Sequence, residues 1–267
     1  MNNTTTKHRI VVLGGGYSGV LTATRLSRHL RRDEVDITVV NARPDFVERV
    51  RLHQVAAGQD LPVIPLPRLF RGTGIRLRVG WVTTLDTRHR RLEIAAADGI
   101  RELEYDTLVY SLGSQAGVNP VPGADEHAHG VSTHTQAVRL RERIAAIGAD
   151  GDLTVVGGGM TGLEVATELA ETHPRLRVRL ITDSELGDWL APGARAHVRK
   201  VFARLGITVV TATVAEVRGD AVVTGDGEVI PTDTTVWTTG FAVPGLAAGA
   251  GLATDADQRI RVDETMR

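Results

Sequence analysis

Two stretches of the chain carry β-branched and aliphatic residues without polar alternation and run straight into glycine. The first is Ile10-Val11-Val12-Leu13 before Gly14; the second is Leu153-Thr154-Val155-Val156 before Gly157. An unbroken apolar run of this length is how a parallel strand buried on both faces is written. Each is followed by a helical stretch, residues 20–30 and 163–172, and then by a second apolar run, residues 36–41 and 177–182. Strand, glycine turn, helix and strand in close succession make a βαβ unit. The separation of Gly14 from Gly157 is a domain length and not a solenoid period.

The pattern between these units also repeats. Residues 61–67 hold three prolines and read as an extended connection. Residues 75–85, 91–95 and 100–103 read as short strands with a turn at 97–99, and 107–112 as a buried strand ending at Gly113. Asn119-Pro120-Val121-Pro122-Gly123 breaks the pattern. An amphipathic helix is expected over 135–147 and another over 192–205, with Pro192 suited to its first turn. Residues 207–217, 221–224 and 228–230 read as a second strand group, with Gly225-Asp226-Gly227 as a turn. Residues 234–238 form a buried strand ending at Gly240, and Pro244-Gly245 marks the next break. The expected fold is α/β, with two Rossmann-like parallel-sheet domains, each carrying a small antiparallel insertion. One domain spans 1–118 and is rejoined by 244–267; the other spans 119–243.

Composition narrows this picture. A chain of 267 residues is comfortable for two domains. Aromatics are only 4%, so the cores are aliphatic. With 31 basic and 32 acidic side chains, no overall field would draw nucleic acid or an anionic membrane. The absence of cysteine excludes disulfides, thiolate catalysis and Cys-ligated metals. No apolar run approaches the ~18–20 residues needed to cross a bilayer, and residues 1–9 lack an apolar signal core, so the reading is cytoplasmic. His127, His129 and His134 cluster in sequence without a well-spaced acidic partner, so no metal site is expected.

The glycines carry the chemistry. In Gly14-Gly15-Gly16-Tyr17-Ser18-Gly19, Gly14 turns the chain off the strand, Gly16 clears the approach to a pyrophosphate, and Gly19 lets helix and strand pack closely. Phosphates then meet the free N–H groups of a helix N-terminus. Gly157, Gly159 and Gly162, flanking Met160 and Thr161, repeat the arrangement. The strand after such a turn usually ends in an acid that binds ribose hydroxyls. The first copy has Asn41 there; the second has Asp183, whose charge favours NADH over NADPH, although a helix cap or loop acid would look the same. Glu164 falls on the first turn of the second helix, where it either supports the helix N-terminus or faces the nicotinamide.

These motifs resemble the two-dinucleotide-domain flavoproteins, and most closely their type II NADH dehydrogenase-like branch, over essentially the whole chain. The resemblance implies FAD at Gly14, Gly16, Tyr17, Ser18 and Gly19. It places Asn41-Ala42-Arg43 and the stretch from Leu52-His53-Gln54 to Gly58 beside the flavin. Residues 105–114, ending Ser111-Leu112-Gly113-Ser114, are similar to the family's YDxLVxATGS motif, with Ser-Leu for Ala-Thr. Residues 157–166 are similar to its NADH turn, and Val236 to Phe241, with Gly240, to the strand that closes the NADH domain. The implied activity is hydride transfer from NAD(P)H, NADH favoured, to FAD and on to a small electron acceptor such as a quinone, with Glu164 and Gln54 as catalytic candidates. The resemblance allows a homodimer. The chain stops at Arg267, which in the family lies just before a second flavin motif. This leaves open a second reading, a flavoprotein that holds FAD for a structural or biosynthetic role without consuming NADH.

Overall fold

The computed structural model describes residues 6–117 and 119–267. It divides into two compact units: residues 1–47, 62–115 and 242–267 in the first, and 48–61 and 116–241 in the second. The expected boundary at residue 118 falls outside the described residues.

In the first unit β1 (His8–Leu13) leads through the glycine turn to α1 (Tyr17–His29) and β2 (Val35–Asn41). Next come β3 (Arg76–Val79), β4 (Trp81–Asp86), β5 (Arg91–Ala96), β6 (Gly99–Glu104) and β7 (Thr107–Tyr110). The parallel sheet has the order β3-β2-β1-β7, and β4-β5-β6 form an antiparallel layer. The continuous apolar run of β1 is divided by side-chain alternation. Ile10 and Val12 pack with Ala23 of α1, Leu66 and Phe70, while Val11 and Leu13 pack with Leu85, Leu92 and Ile94 of the antiparallel layer. Each face has its own cover, which is why the sequence shows no polar positions there.

The second unit repeats the plan. α2 (His134–Ile147) begins with a capping box, the Thr133 hydroxyl accepting from the Gln136 N–H while the Gln136 side chain accepts from the Thr133 N–H. β8 (Asp152–Val156), α3 (Met160–Thr172), β9 (Arg177–Thr182), α4 (Pro192–Leu205), β10 (Thr208–Thr211), β11 (Val214–Val217), β12 (Ala221–Thr224), β13 (Val229–Pro231) and β14 (Thr234–Trp237) follow. The parallel order is β10-β9-β8-β14, with the short strand Ala128–His129 added beside β14. β11-β12-β13 form the antiparallel layer.

Two expectations are corrected, for physical reasons. Residues 75–85 and 207–217 each read as one strand, but each is two strands in different sheets. At Gly80 the chain leaves the parallel sheet after donating to the Asn41 carbonyl at 2.9 Å. A Cβ at Gly80 would lie 2.5 Å from Ile94 Cγ2 and 2.7 Å from the Ala95 carbonyl oxygen, so the corner requires glycine. In the second unit Ala212 donates to the Thr182 carbonyl at 2.8 Å before the same change of sheet. Residues 48–61, expected within the first domain, pack instead in the second unit. Their helix, Leu52–Ala56, buries Leu52, Val55 and Ala56 and lies against α2 and α3.

Candidate functional site

The two glycine turns have the same geometry. Gly14 has φ +96° and donates to the Val40 carbonyl at 2.8 Å; Gly157 has φ +119° and donates to the Ile181 carbonyl at 2.9 Å. Both lie in the left-handed region, which favours glycine. A Cβ at Gly19 would overlap the carbonyl oxygen of Gly14, and one at Gly162 would overlap that of Gly157. These glycines allow the helix to cross its own strand at contact distance. At Gly16 and Gly159, by contrast, a Cβ would meet nothing within 4 Å, so the space outside these residues is open.

Gly16 and Gly159 are also the N-caps of α1 and α3, and neither helix start has a side-chain cap or a first-turn acid. A helix start with no carboxylate in its first turn leaves an anion without a competitor there. This arrangement fits a pyrophosphate in both units, because the turns are built so that no side chain fills the approach.

One hydroxyl in each unit, missed as functional in the sequence, holds the turn from behind. Ser111 Oγ donates to the Leu13 carbonyl at 2.6 Å, and Thr238 Oγ1 donates to the Val156 carbonyl at 2.8 Å. The signal was present in the shared strand-end motifs Ser111-Leu112-Gly113 and Thr238-Thr239-Gly240. Gly113 and Gly240 have φ of +68° and +77°.

The second strands differ. Asn41 Oδ1 accepts from the Gly15 N–H at 2.9 Å, and its amide nitrogen donates to the Arg43 carbonyl at 2.8 Å. Its side chain therefore braces the turn. Tyr17 meets Phe46 edge-on, with ring centroids 4.9 Å apart. Register identifies the counterpart of Asn41 in the second unit. Leu13 pairs with Val40 and Val156 with Ile181, which aligns Asn41 with Thr182 and places Asp183 one residue further on. Thr182 is buried and Asp183 is exposed beyond the strand end. Neither unit has a carboxylate at the strand-end position itself.

Glu164 was expected on the first turn of its helix; α3 begins at Met160, so Glu164 stands on the second turn, beyond the reach of the N-terminal N–H groups. Its carboxylate is 41% exposed and lies 4.0 Å from His53 Nδ1, while His53 Nε2 lies 4.0 Å from Glu168. Gln59 donates to Glu168 at 2.6 Å. Gln54 Oε1 accepts from Arg51 Nε at 2.7 Å. Glu168 and Arg51 were not singled out in the sequence. Burial, with Arg143 second, holds the His129 imidazole below its ordinary value. Among the described residues no group of three or more His, Cys, Asp or Glu side chains is arranged for a metal ion, and no helix is long and apolar enough to cross a membrane.

Two βαβ modules, each with a bare phosphate-sized turn, define a protein of the double dinucleotide-binding class. Residues 8–267 match the family model described as pyridine nucleotide-disulphide oxidoreductase, and the chain belongs to that family. It is an NAD(P)H oxidoreductase of the flavoprotein kind. It is 30% identical to an NADH dehydrogenase-like protein of Mycobacterium tuberculosis, over 97% of this chain and 69% of that one. It is 26% identical to demethylphylloquinone reductase NdbB of Synechocystis, over 99% of this chain and 69% of that one. The fold matches that of the sulfide:quinone oxidoreductase of Aquifex aeolicus with a TM-score of 0.81 at 22% identity, covering 95% of this chain and 64% of that one. The chain thus spans about seven-tenths of these curated relatives and less than two thirds of that solved structure.

Proposed function

We propose that this chain passes hydride from NAD(P)H, with NADH favoured, to FAD and delivers the electrons to a small acceptor such as a quinone. FAD belongs to the first unit in this reading and the nicotinamide dinucleotide to the second. The observation that carries it is the duplicated turn: two open N-caps, each backed by a glycine whose Cβ would overlap a carbonyl oxygen. One such turn serves a simple dehydrogenase, and two are needed where one dinucleotide reduces another. The quinone acceptor draws support from the demethylphylloquinone reductase of Synechocystis, a relative of this chain. Without cysteine, the chain has no dithiol to stand between flavin and acceptor.

Bound flavin supplies the two-electron chemistry, and the protein supplies position and surroundings. Gly14, Gly16 and Gly19, with Tyr17 and Ser18, would hold the flavin's pyrophosphate. Asn41, Ala42 and Arg43 would border its adenosine, and Gly113 and Ser114 would close the strand end. Gly157, Gly159 and Gly162, with Met160 and Thr161, would hold the nicotinamide dinucleotide, while Gly240 closes that strand end. Asp183 would face the ribose from beyond the strand. Glu164, close to His53, would keep an acid–base group near the nicotinamide, and Gln54, braced by Arg51, would orient the acceptor.

The test is an absorbance spectrum of the purified protein. Flavin bands near ~450 nm should bleach with NADH under anaerobic conditions and return when a quinone is added. A colourless protein that added FAD does not reconstitute would overturn this reading.

A further inference from the structure

The second glycine turn has a contact that its counterpart lacks. After β9 the chain runs through residues 183–191, and Trp189 Nε1 donates to the carbonyl of Gly158 at 3.1 Å. Gly158 is the middle residue of the turn. The indole is nevertheless 49% exposed, and the neighbouring Met160 at the helix start is 55% exposed. Beneath Gly158 lies Thr182, close enough that a Cβ on Gly158 would overlap its Oγ1. The strand-end position that normally carries a ribose-binding acid is thus a buried neutral hydroxyl, packed against the turn.

A half-exposed indole held by its one polar atom is a preset surface. Its edge is fixed to the backbone and a large part of its apolar ring is left to solvent, so little freedom remains to be lost when a planar group stacks on it. In a βαβ nucleotide site the ribose lies by the end of the second strand, and the base lies outward from it. The loop carrying Trp189 begins at that point. In the first unit the matching loop sends Phe46 edge-on against Tyr17, so its aromatic is already engaged.

We propose that Trp189 is the adenine-stacking wall of the second unit, and that it supplies recognition of the adenosine half in place of the missing strand-end acid. This rests on the nicotinamide dinucleotide occupying the second turn.

The experiment uses the full chain, with ADP-ribose as a probe of the adenosine half and reduced nicotinamide mononucleotide as a probe without it. Binding is followed by calorimetry and by tryptophan emission; the chain has three tryptophans. ADP-ribose should quench part of the emission, and Trp189→Phe should remove that part while keeping most of the affinity. Trp189→Ala should weaken ADP-ribose and NADH roughly tenfold, the scale of one lost base–aromatic stack, and leave the mononucleotide unchanged. Because Trp189→Phe keeps a ring in place, it reports even where the alanine variant folds poorly. ADP-ribose affinity in a folded Trp189→Ala within about twofold of native, or full quenching retained in Trp189→Phe, overturns the assignment while leaving NADH binding intact. A native chain that binds neither NADH nor ADP-ribose overturns the assignment and the proposed function together.

Discussion

At two of three equivalent ladder positions the two units carry opposite charges, and the third is aspartate in both. In the first, Arg9 of β1 lies between Asp36 of β2 and Asp106 before β7. In the second, Asp152 of β8 lies beside Arg177 of β9 and next to Asp233 before β14. The backbone bonds are conserved all the same, with Asp106 N–H donating to Arg9 O at 2.9 Å and Asp233 N–H donating to Asp152 O at 2.8 Å. The backbone of the glycine turns and the contacts of their helix-crossing glycines, by contrast, match. The lesson is that the turns are constrained by contact at atomic distance, while the strand entries tolerate the exchange of a base and an acid across the ladder.

The sharpest test of that contrast lies in the helix-crossing glycines. Gly19→Ala and Gly162→Ala each place a methyl group onto a carbonyl oxygen that cannot move without shifting the strand end. Each should cost about 3 kcal/mol or more in urea unfolding, at the upper end for overpacking. Gly19→Ala should lose bound flavin and Gly162→Ala should lose NADH binding, measured by absorbance and calorimetry. A next-largest effect separates folding from binding. Gly16→Ala and Gly159→Ala meet no protein atom, so unfolding should change by no more than about 0.5 kcal/mol. Dinucleotide affinity should still fall by about tenfold or more, since the methyl group occupies the phosphate approach. Native affinity in both variants would show that the open side of the turns is not where phosphate sits.

How far the sequence could be read follows from the range of each interaction. The turns were legible because strand, glycines and helix are contiguous, and Gly19 and Gly162 each press on a carbonyl five residues back. The change of sheet at Gly80 and after Thr211 was not, because apolar content continues unbroken across both corners and only the destination of the next strand differs. Residues 48–61 follow Asn41 closely in sequence, yet their allegiance is decided by burial of Leu52 and Val55 against helices far along the chain. Asp183 looked like the strand-end acid because strand ends are uncertain by a residue; register alone gives that position to Thr182. Trp189 carried no signal, because its partner is a backbone carbonyl 31 residues away.

The rear hydroxyls should matter less than the glycines. Ser111→Ala and Thr238→Val each remove one hydrogen bond to a strand-end carbonyl. That carbonyl keeps a second donor, the backbone N–H of residue 111 or 238, at 2.9 and 3.0 Å. No acceptor is left wholly bare, so each variant should lose about 0.5–1.5 kcal/mol in urea unfolding. Equal losses would support the equivalence of the two turns; a loss confined to one unit would break it.

The charge exchange gives the smallest effect. Hydrogen bonds from Arg9 hold the Asp106 carboxyl well below its usual range, and Arg177 lowers that of Asp152. A carboxyl depressed in the folded state contributes stability above its unfolded pKa of about 4, and loses it as the pH falls toward the folded value. The native protein should therefore weaken on acidification below about pH 4 through both groups. Arg9→Met removes the cation that Asp106 shares with Glu104 and should flatten this dependence. Arg177→Met leaves Asp152 with Arg179 as its remaining cation and should flatten the dependence less. Urea midpoints measured from about pH 7 down to about pH 2 distinguish the cases. Parallel slopes for the two variants would mean that the strand entries are equivalent after all, and that solvent screens the exchanged charges.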